Sequence, residues 1–510
     1  MTEHPVKEGF QRLPNLASER FGAAVLDASD DFFAEKENLV RDAGPRWDPD
    51  LYTDRGKWMD GWETRRRREE GHDWCLVRLG VPGLVRGVVV DTSHFTGNFP
   101  ESFSLEACAV ADDAPPARLL TDGTEWIEIL PRTPLTGDAV HPFEISSPYR
   151  FTHLRLHIYP DGGVARLRVH GVPLPRAASL PSGEPLLLSA LERGARVVAV
   201  SDSFYGAADK MLLSDAPLGM HDGWETRRRR GGGNDWAVVR LAAAGLPERV
   251  EVDTSFFRGN APGACSIEAA FEPDAVEPEA DAGEGSWRPL VPRSTLEPDR
   301  RHSFDVAPGE PPVTHVRLQI YPDGGVARFR VHGRVDPGHR ERAALAEINT
   351  LCPGAAERAF LDCCGSGRWA GEMAARRPFA NRDALLAAAE EVAGALLPDD
   401  WREAFAAHPP IGEETAERPS GERAAGWSRQ EQAGLAGAGD ELLERLADAN
   451  RRYRERFGHG FIVRASGRTG EEMLALLEER LAHDPEEELA VAAAEEVAIT
   501  RLRLEKLLQP

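Results

Sequence analysis

Residues Asp60–Arg68 read DGWETRRRR, and Asp222–Arg230 repeat them letter for letter, 162 positions further on. The same offset carries Asp73-Trp74 onto Asp235-Trp236 and Asp91-Thr92-Ser93 onto Asp253-Thr254-Ser255. It also carries Tyr159-Pro160-Asp161-Gly162-Gly163 onto Tyr321-Pro322-Asp323-Gly324-Gly325. Solenoid repeats have periods of roughly 20–50 residues, so an offset this long marks a whole domain written twice. Whatever folds here must fold over residues 16–171 and again over 190–334. The Pro- and Ser-rich stretch VPLPRAASLPSGEPLLLS (172–189) reads as a linker between the copies. Near the start of each copy, Ser29-Asp30 and Phe32 answer Ser201-Asp202 and Phe204 at an offset of 172 rather than 162. The first copy therefore carries ten additional residues within PRWDPDLYTDRG (45–56), directly before the shared nonapeptide.

Each copy has strand periodicity. The β-branched runs at 85–91 and 249–253 predict strands, and Asp161-Gly162 between alternating segments predicts a two-residue hairpin turn over Thr152–His170. In that hairpin the numbers of facing residues sum to 323. Leu154, Leu156, Ile158, Ala165, Leu167 and Val169 then share an apolar face, opposite His153, Arg155, His157, Arg166, Arg168 and His170. The second copy gives Val316, Leu318, Ile320, Ala327, Phe329 and Val331 against His315, Arg317, Gln319, Arg328, Arg330 and His332. Arg155 facing Arg168 calls for acidic side chains from a neighbouring strand or for a bound anion. His153 facing His170 without a carboxylate motif argues for a structural role rather than a metal site.

Beyond 334–341 (RVDPGHRE) the periodicity becomes helical and a third, all-α domain is expected over 342–508. Helices are predicted at Asp383–Leu397, Trp401–Ala407 and Gly470–His483. Asp484 is placed as an N-cap and Pro485 as the first residue of a helix reaching Leu508. Ser428 and Glu431 have the spacing of a capping box.

The formal charge of -23 argues against nucleic acid and anionic membrane as main partners. Only five of the 61 basic residues are lysine; arginine is the better planar partner for carboxylates. The six cysteines form no C-x-x-C pair and no regular framework, which argues against disulfides and structural zinc. No apolar run of signal-peptide or membrane-span length appears, so a cytoplasmic setting is expected.

The duplicated segments DGWETRRRR, the DW pairs, VDTSHFTGN (90–98) with VDTSFFRGN (252–260), and HIYPDGGVARLRVHG (157–171) together resemble allantoicase. That family consists of tandem jelly-roll repeats related to galactose-binding sandwiches. The resemblance spans 16–334 and implies hydrolysis of allantoate to ureidoglycolate and urea. Arginine can clamp the substrate carboxylate, while an acidic side chain can activate water or protonate the departing nitrogen. The candidates are Asp60, Glu63 and Arg65, with their copies Asp222, Glu225 and Arg227. The residues are silent on metal dependence.

In the helical part, His408-Pro409-Pro410-Ile411-Gly412, Trp427–Gln432 and Phe457–Thr469, with the intervening FANRDALLAAAEE helix (379–391), resemble the cofactor-free decarboxylase of the urate pathway. That enzyme converts 2-oxo-4-hydroxy-4-carboxy-5-ureidoimidazoline (OHCU) to (S)-allantoin. By motif position, His408 is implied as the acid/base group and Glu431 as the residue that orients substrate. Pro409, Ser428, Arg429, Gln430, Gln432, Phe461, Ile462, Val463, Arg464 and Ala465 are implied as substrate contacts. No cofactor and no metal are expected. The partners are then small-molecule substrates, and a homo-oligomer assembled through sandwich edges is compatible with the pattern. The alternative is a pair of sugar-type binding sandwiches attached to a helical decarboxylase.

Overall fold

A computed structural model describes residues 9–111, 114–181, 183–272, 287–411, 422–431 and 439–509. The chain divides into two units, Met1–Arg340 and Glu341–Pro510. Each copy in the first unit is organised by one 19-residue strand, Asp73–Asp91 or Asp235–Asp253. The strands predicted at 85–91 and 249–253 are its second half. Residues 73–78 pair antiparallel with Arg150–Tyr159, whereas 83–91 pair with Arg166–Pro173 and 87–91 with Val140–Glu144. The register breaks between Arg78 and Gly83, so a single strand serves both layers of an antiparallel sandwich. The second copy repeats this arrangement with Val313–Tyr321, Arg328–Val335 and Arg301–Asp305.

The apolar alternation correctly marks the core. Leu154, Leu156, Ile158, Ala165, Leu167, Val169 and their six counterparts in the second copy are all fully buried. Burial of each larger aliphatic side chain contributes roughly 1.5–3 kcal/mol.

The expected hairpin does not form. Arg150–Tyr159 and Arg166–Pro173 both pair with the long strand and not with each other. The segment around Asp161-Gly162 instead crosses between the layers, and Gly163–Val164 pairs with Trp62–Glu63 of the nonapeptide. A close approach dictates this. A Cβ on Gly163 would stand 2.0 Å from the buried ring of Phe95, and one on Gly325 would meet Phe257 at the same distance. Arg155 and Arg168 therefore never face each other. Arg155 pairs with Glu106 of the adjacent strand at 2.6 Å, as Arg317 does with Glu268 at 2.5 Å; Arg168 donates to the carbonyls of Asp42 and Ala43. His153 and His170 are likewise apart: His153 Nδ1 meets Thr152 Oγ1 at 2.9 Å and His170 Nδ1 meets the Leu13 carbonyl at 2.8 Å. Among the described residues no cluster of His, Cys, Asp and Glu could hold a metal.

In the second unit the helices run close to their expected bounds: Arg382–Gly394, Pro398–Ala406, Gly470–Arg480 and Pro485–Leu507. Asp484 caps the last by accepting from the backbone N–H groups of Glu486 and Glu487, both at 3.0 Å. Within the boundary stretch 334–341 a strand ends at Val335 and a helix begins at Pro337. Ser428 and Glu431 form no capping box, because both lie inside the helix Glu422–Glu431. The six cysteines are free and buried. No described helix is long and apolar enough to cross a membrane.

Candidate active sites

In the first unit the two repeated motifs recognise each other. Beyond the Trp62–Glu63 pairing, Thr64 Oγ1 accepts from the Gly162 N–H at 3.1 Å, and Asp161 accepts from the Arg67 N–H at 2.8 Å. The second copy does the same with Thr226, Gly324, Asp323 and Arg229. The joint identity of these segments thus has a structural basis: each is the other's backbone partner.

Within this frame the candidate residues are held separately. Asp60 is buried and accepts from Arg166 Nη2 at 2.9 Å and from the Arg46 N–H at 2.9 Å. Burial pushes the Asp60 carboxyl up, but the hydrogen bonds from Arg166 and the Arg46 N–H, with Arg41 nearby, outweigh it and keep the carboxyl below its usual range. Glu63 is half-buried and accepts from Asn98 Nδ2 at 2.7 Å; burial raises its carboxyl against that hydrogen bond. Glu225 meets Asn260 at 2.6 Å. Arg65 and Arg227 are exposed and rest on Asp30 and Asp202, each at 2.7 Å. Among the described residues, no hydrogen bond or ion pair joins Asp60, Glu63 and Arg65 directly. The ten-residue insertion forms an exposed two-strand ribbon, Tyr52–Thr53 with Gly56–Lys57. Beside it, Trp47 stacks on His94 and carries Lys57 at 4.0 Å over its ring. Phe256 stands at the position of His94 in the second copy.

In the helical unit, residues from distant segments converge on one partly open pocket. His408, Pro409, Ser428, Glu431 and Phe461–Ala465 all line it, together with Ile411, Ser466, Ile499 and Leu502. Ser428 and Glu431 share a helix face three residues apart. Arg429 and Gln430, turned away on that helix, are exposed and outside the lining. Gln432 lies outside the described residues. Arg464 donates its backbone N–H to Glu495 at 2.7 Å. The strip 461–465 is pinned from behind by Arg480, which donates to the Ile462 carbonyl at 2.8 Å and to fully buried Glu488.

Three residues around this cavity escape sequence reasoning, and all lie on the closing helix. Arg503, almost wholly buried, donates to Glu431 at 2.9 Å and to Ser428 Oγ at 3.0 Å. Lys506 reaches Glu431 at 3.1 Å. Burial pushes the Glu431 carboxyl up, but these two cations outweigh it and hold it ionised, below its usual range. Glu496, with no exposed surface, meets His408 Nε2 at 2.9 Å. The letters carried no signal for them, since the same helix bears exposed Glu486, Glu487 and Arg501 on its other faces.

A family model for the allantoicase repeat matches residues 14–174 and 187–336, and one for OHCU decarboxylase matches 349–505. The probable allantoicase 1 of Burkholderia mallei is 47% identical over 332 residues, covering 64% of this chain and 96% of that protein. The probable allantoicase of Nocardia farcinica is 49% identical over 328 residues, with the same coverage of 64% and 96%. The crystal structure of allantoicase from Saccharomyces cerevisiae superposes with a TM-score of 0.51 at 32% identity, covering 63% of this chain and 93% of that one. Both copies of the sandwich fall within these matches, which does not favour the reading of sugar-binding modules. The chain belongs to the allantoicase family and carries an OHCU decarboxylase domain behind its two allantoicase repeats.

Proposed function

We propose that this chain carries out two reactions of urate breakdown in separate domains, with bounds at 16–171, 190–334 and 342–508. Its partners are its small-molecule substrates, allantoate and OHCU, in a cytoplasmic setting. The reactions are not consecutive. (S)-Allantoin must first be ring-opened to allantoate, so a separate hydrolytic step lies between them.

The observation that carries the decarboxylase assignment is the cavity where His408, Ser428, Glu431 and the strip 461–465 meet. In the reaction the C–C bond to the carboxylate breaks, CO₂ leaves, and the electron pair remains on the ring carbon, which then takes up a proton. His408 serves as the acid/base group. Glu431, kept anionic by Arg503 and Lys506, orients substrate through its free acceptor capacity. His408→Asn is expected to abolish enzymatic decarboxylation; stereoselective formation of (S)-allantoin by this variant would overturn the assignment.

In the allantoicase repeats, water adds and urea departs with the proton that water loses. Glu63 and Glu225 are the acid/base candidates, since each keeps oxygen lone pairs beyond its single asparagine partner. Arg65 and Arg227, exposed beside them in sequence, can clamp the substrate carboxylate. Asp60 and Asp222, tied to buried arginines, brace the motif from beneath. Urea release from allantoate is expected to fall by at least about 10²-fold in the Glu63→Gln/Glu225→Gln double variant. Unchanged release would remove both glutamates from the mechanism.

A further inference from the structure

We propose that Glu496 is the positioning residue for His408, holding it as the Nε2–H tautomer so that Nδ1 is the nitrogen that meets substrate. The inference rests on the decarboxylase reading and deepens it. His408 Nε2 lies 2.9 Å from Glu496 Oε2 and 3.1 Å from Oε1. The Glu496 side chain is completely buried, and that of His408 is 10% exposed. Glu496 does not line the cavity, although Ile499 and Leu502 of the same helix do. Its route to the reacting atoms therefore runs through the imidazole.

A carboxylate accepts hydrogen bonds and donates none, so a neutral histidine facing it must carry its proton on the nitrogen turned toward it. Among the described residues Nδ1 has no partner, which leaves its lone pair for the substrate. When His408 takes a proton, it takes it at Nδ1 and gives it back from Nδ1, while Nε2–H stays on Glu496 throughout. The carboxylate also stabilises the imidazolium that exists between those two events.

Burying a carboxylate costs several kcal/mol unless it is paired, so its surroundings must supply compensation. Among the described residues, Glu496 faces His408, Arg503 two turns along its own helix, and Cys364, whose thiol is pushed up by burial and by Glu496 itself. Arg503 also acts on Glu431. Residues 496 and 503 are seven apart, hence on one helix face. One rigid element thus steadies both ends of the site: His408 through Glu496, and Glu431 with Ser428 through Arg503. Positioning groups carried on a helix hold geometry more closely than loops do.

Two measurements on the full chain test this. The first is ¹⁵N NMR of histidine-labelled protein above the titration range, with the His408 signal assigned by its loss in His408→Asn. A protonated Nε2 and an unprotonated Nδ1 are expected; the opposite tautomer overturns the proposal, and needs no variant of Glu496. The second is kinetics of Glu496→Gln. Its kcat for OHCU decarboxylation is expected to fall by about 10²-fold or more, with KM nearly unchanged. If wild-type protein fails to accelerate decarboxylation, the decarboxylase reading falls. If it is active, His408→Asn is dead and Glu496→Gln keeps wild-type kcat, only the positioning role falls.

Discussion

The aspartate that opens the nonapeptide meets different surroundings in its two copies. Asp60 lies 2.9 Å from Arg166, with the half-exposed Arg41 at 3.7 Å. Asp222 lies 2.8 Å from Arg328 and also receives Arg20, which reaches across from the first copy. Asp215 stands beside this group, 2.8 Å from both Arg328 and Arg20. Burial opposes ionisation of Asp222, but the hydrogen bonds from Arg20 and Arg328 outweigh it and depress its carboxyl far below the usual range. Nine identical letters thus serve as an internal brace in one copy and as part of the seam between copies in the other. Residues outside the duplicated motif decide which.

The comparison breaks most sharply under alanine substitution. Asp60→Ala leaves Arg166, 1% exposed, with backbone carbonyls and no carboxylate. A buried charge stripped of its partner costs about 3–5 kcal/mol. Asp222→Ala leaves Asp215 in contact with both arginines, so a loss of roughly 1–3 kcal/mol is expected, on the scale of one charge-assisted hydrogen bond. Denaturant unfolding of the first unit should rank the two variants in that order, with Asp215→Ala/Asp222→Ala matching or exceeding Asp60→Ala. Equal losses for the two single variants would show that Asp215 does not act as a reserve partner.

The same contrast explains what could be read from the sequence. The apolar face of each copy was legible because burial acts on every second residue along a strand, whatever that strand pairs with. Pairing was not. The Asp161-Gly162 turn signal is local, whereas the real partner of both flanking strands is Asp73–Asp91, about 80 residues away, and the tight seat of Gly163 on Phe95 decides the outcome. In the helical unit the positions of His408, Ser428, Glu431 and 461–465 came from resemblance, and the cavity lining includes them. Arg429 and Gln430, implied by the same motif, are carried outward by the turn of the helix. Glu496, Arg503 and Lys506 were hidden by context. On a helix bearing surface charge on other faces, nothing in the letters separates a buried Glu from an exposed one.

A gentler difference lies on the outer sheet face. In the first copy, His72 Nε2 meets His157 Nδ1 at 2.8 Å and His157 Nε2 meets Glu106 at 2.8 Å. In the second copy the chain has the same shape without titratable rings: Asn234 donates to Gln319 at 3.2 Å and Gln319 to Glu268 at 2.7 Å. Burial lowers both imidazoles; His157 and the nearby Arg67 and Arg132 lower His72 further, against the pull of Asp73. Glu106 raises His157 only in part. With folded values below the unfolded value of about 6.5, the unfolded chain binds more protons as pH falls through that region, so the native state loses stability toward acid. Buried His153 and His315, both pushed down to about 4, impose the same trend on each copy and form a shared background. The double variant His72→Asn/His157→Gln gives the first copy the amides of the second while leaving that background intact. Its drop in denaturant midpoint between pH 7.5 and pH 5.5 should be smaller than that of the wild type, with little difference at pH 7.5, where both rings are neutral. An identical drop would remove the histidine pair as a source of acid sensitivity and make the two copies electrostatically equivalent on this face.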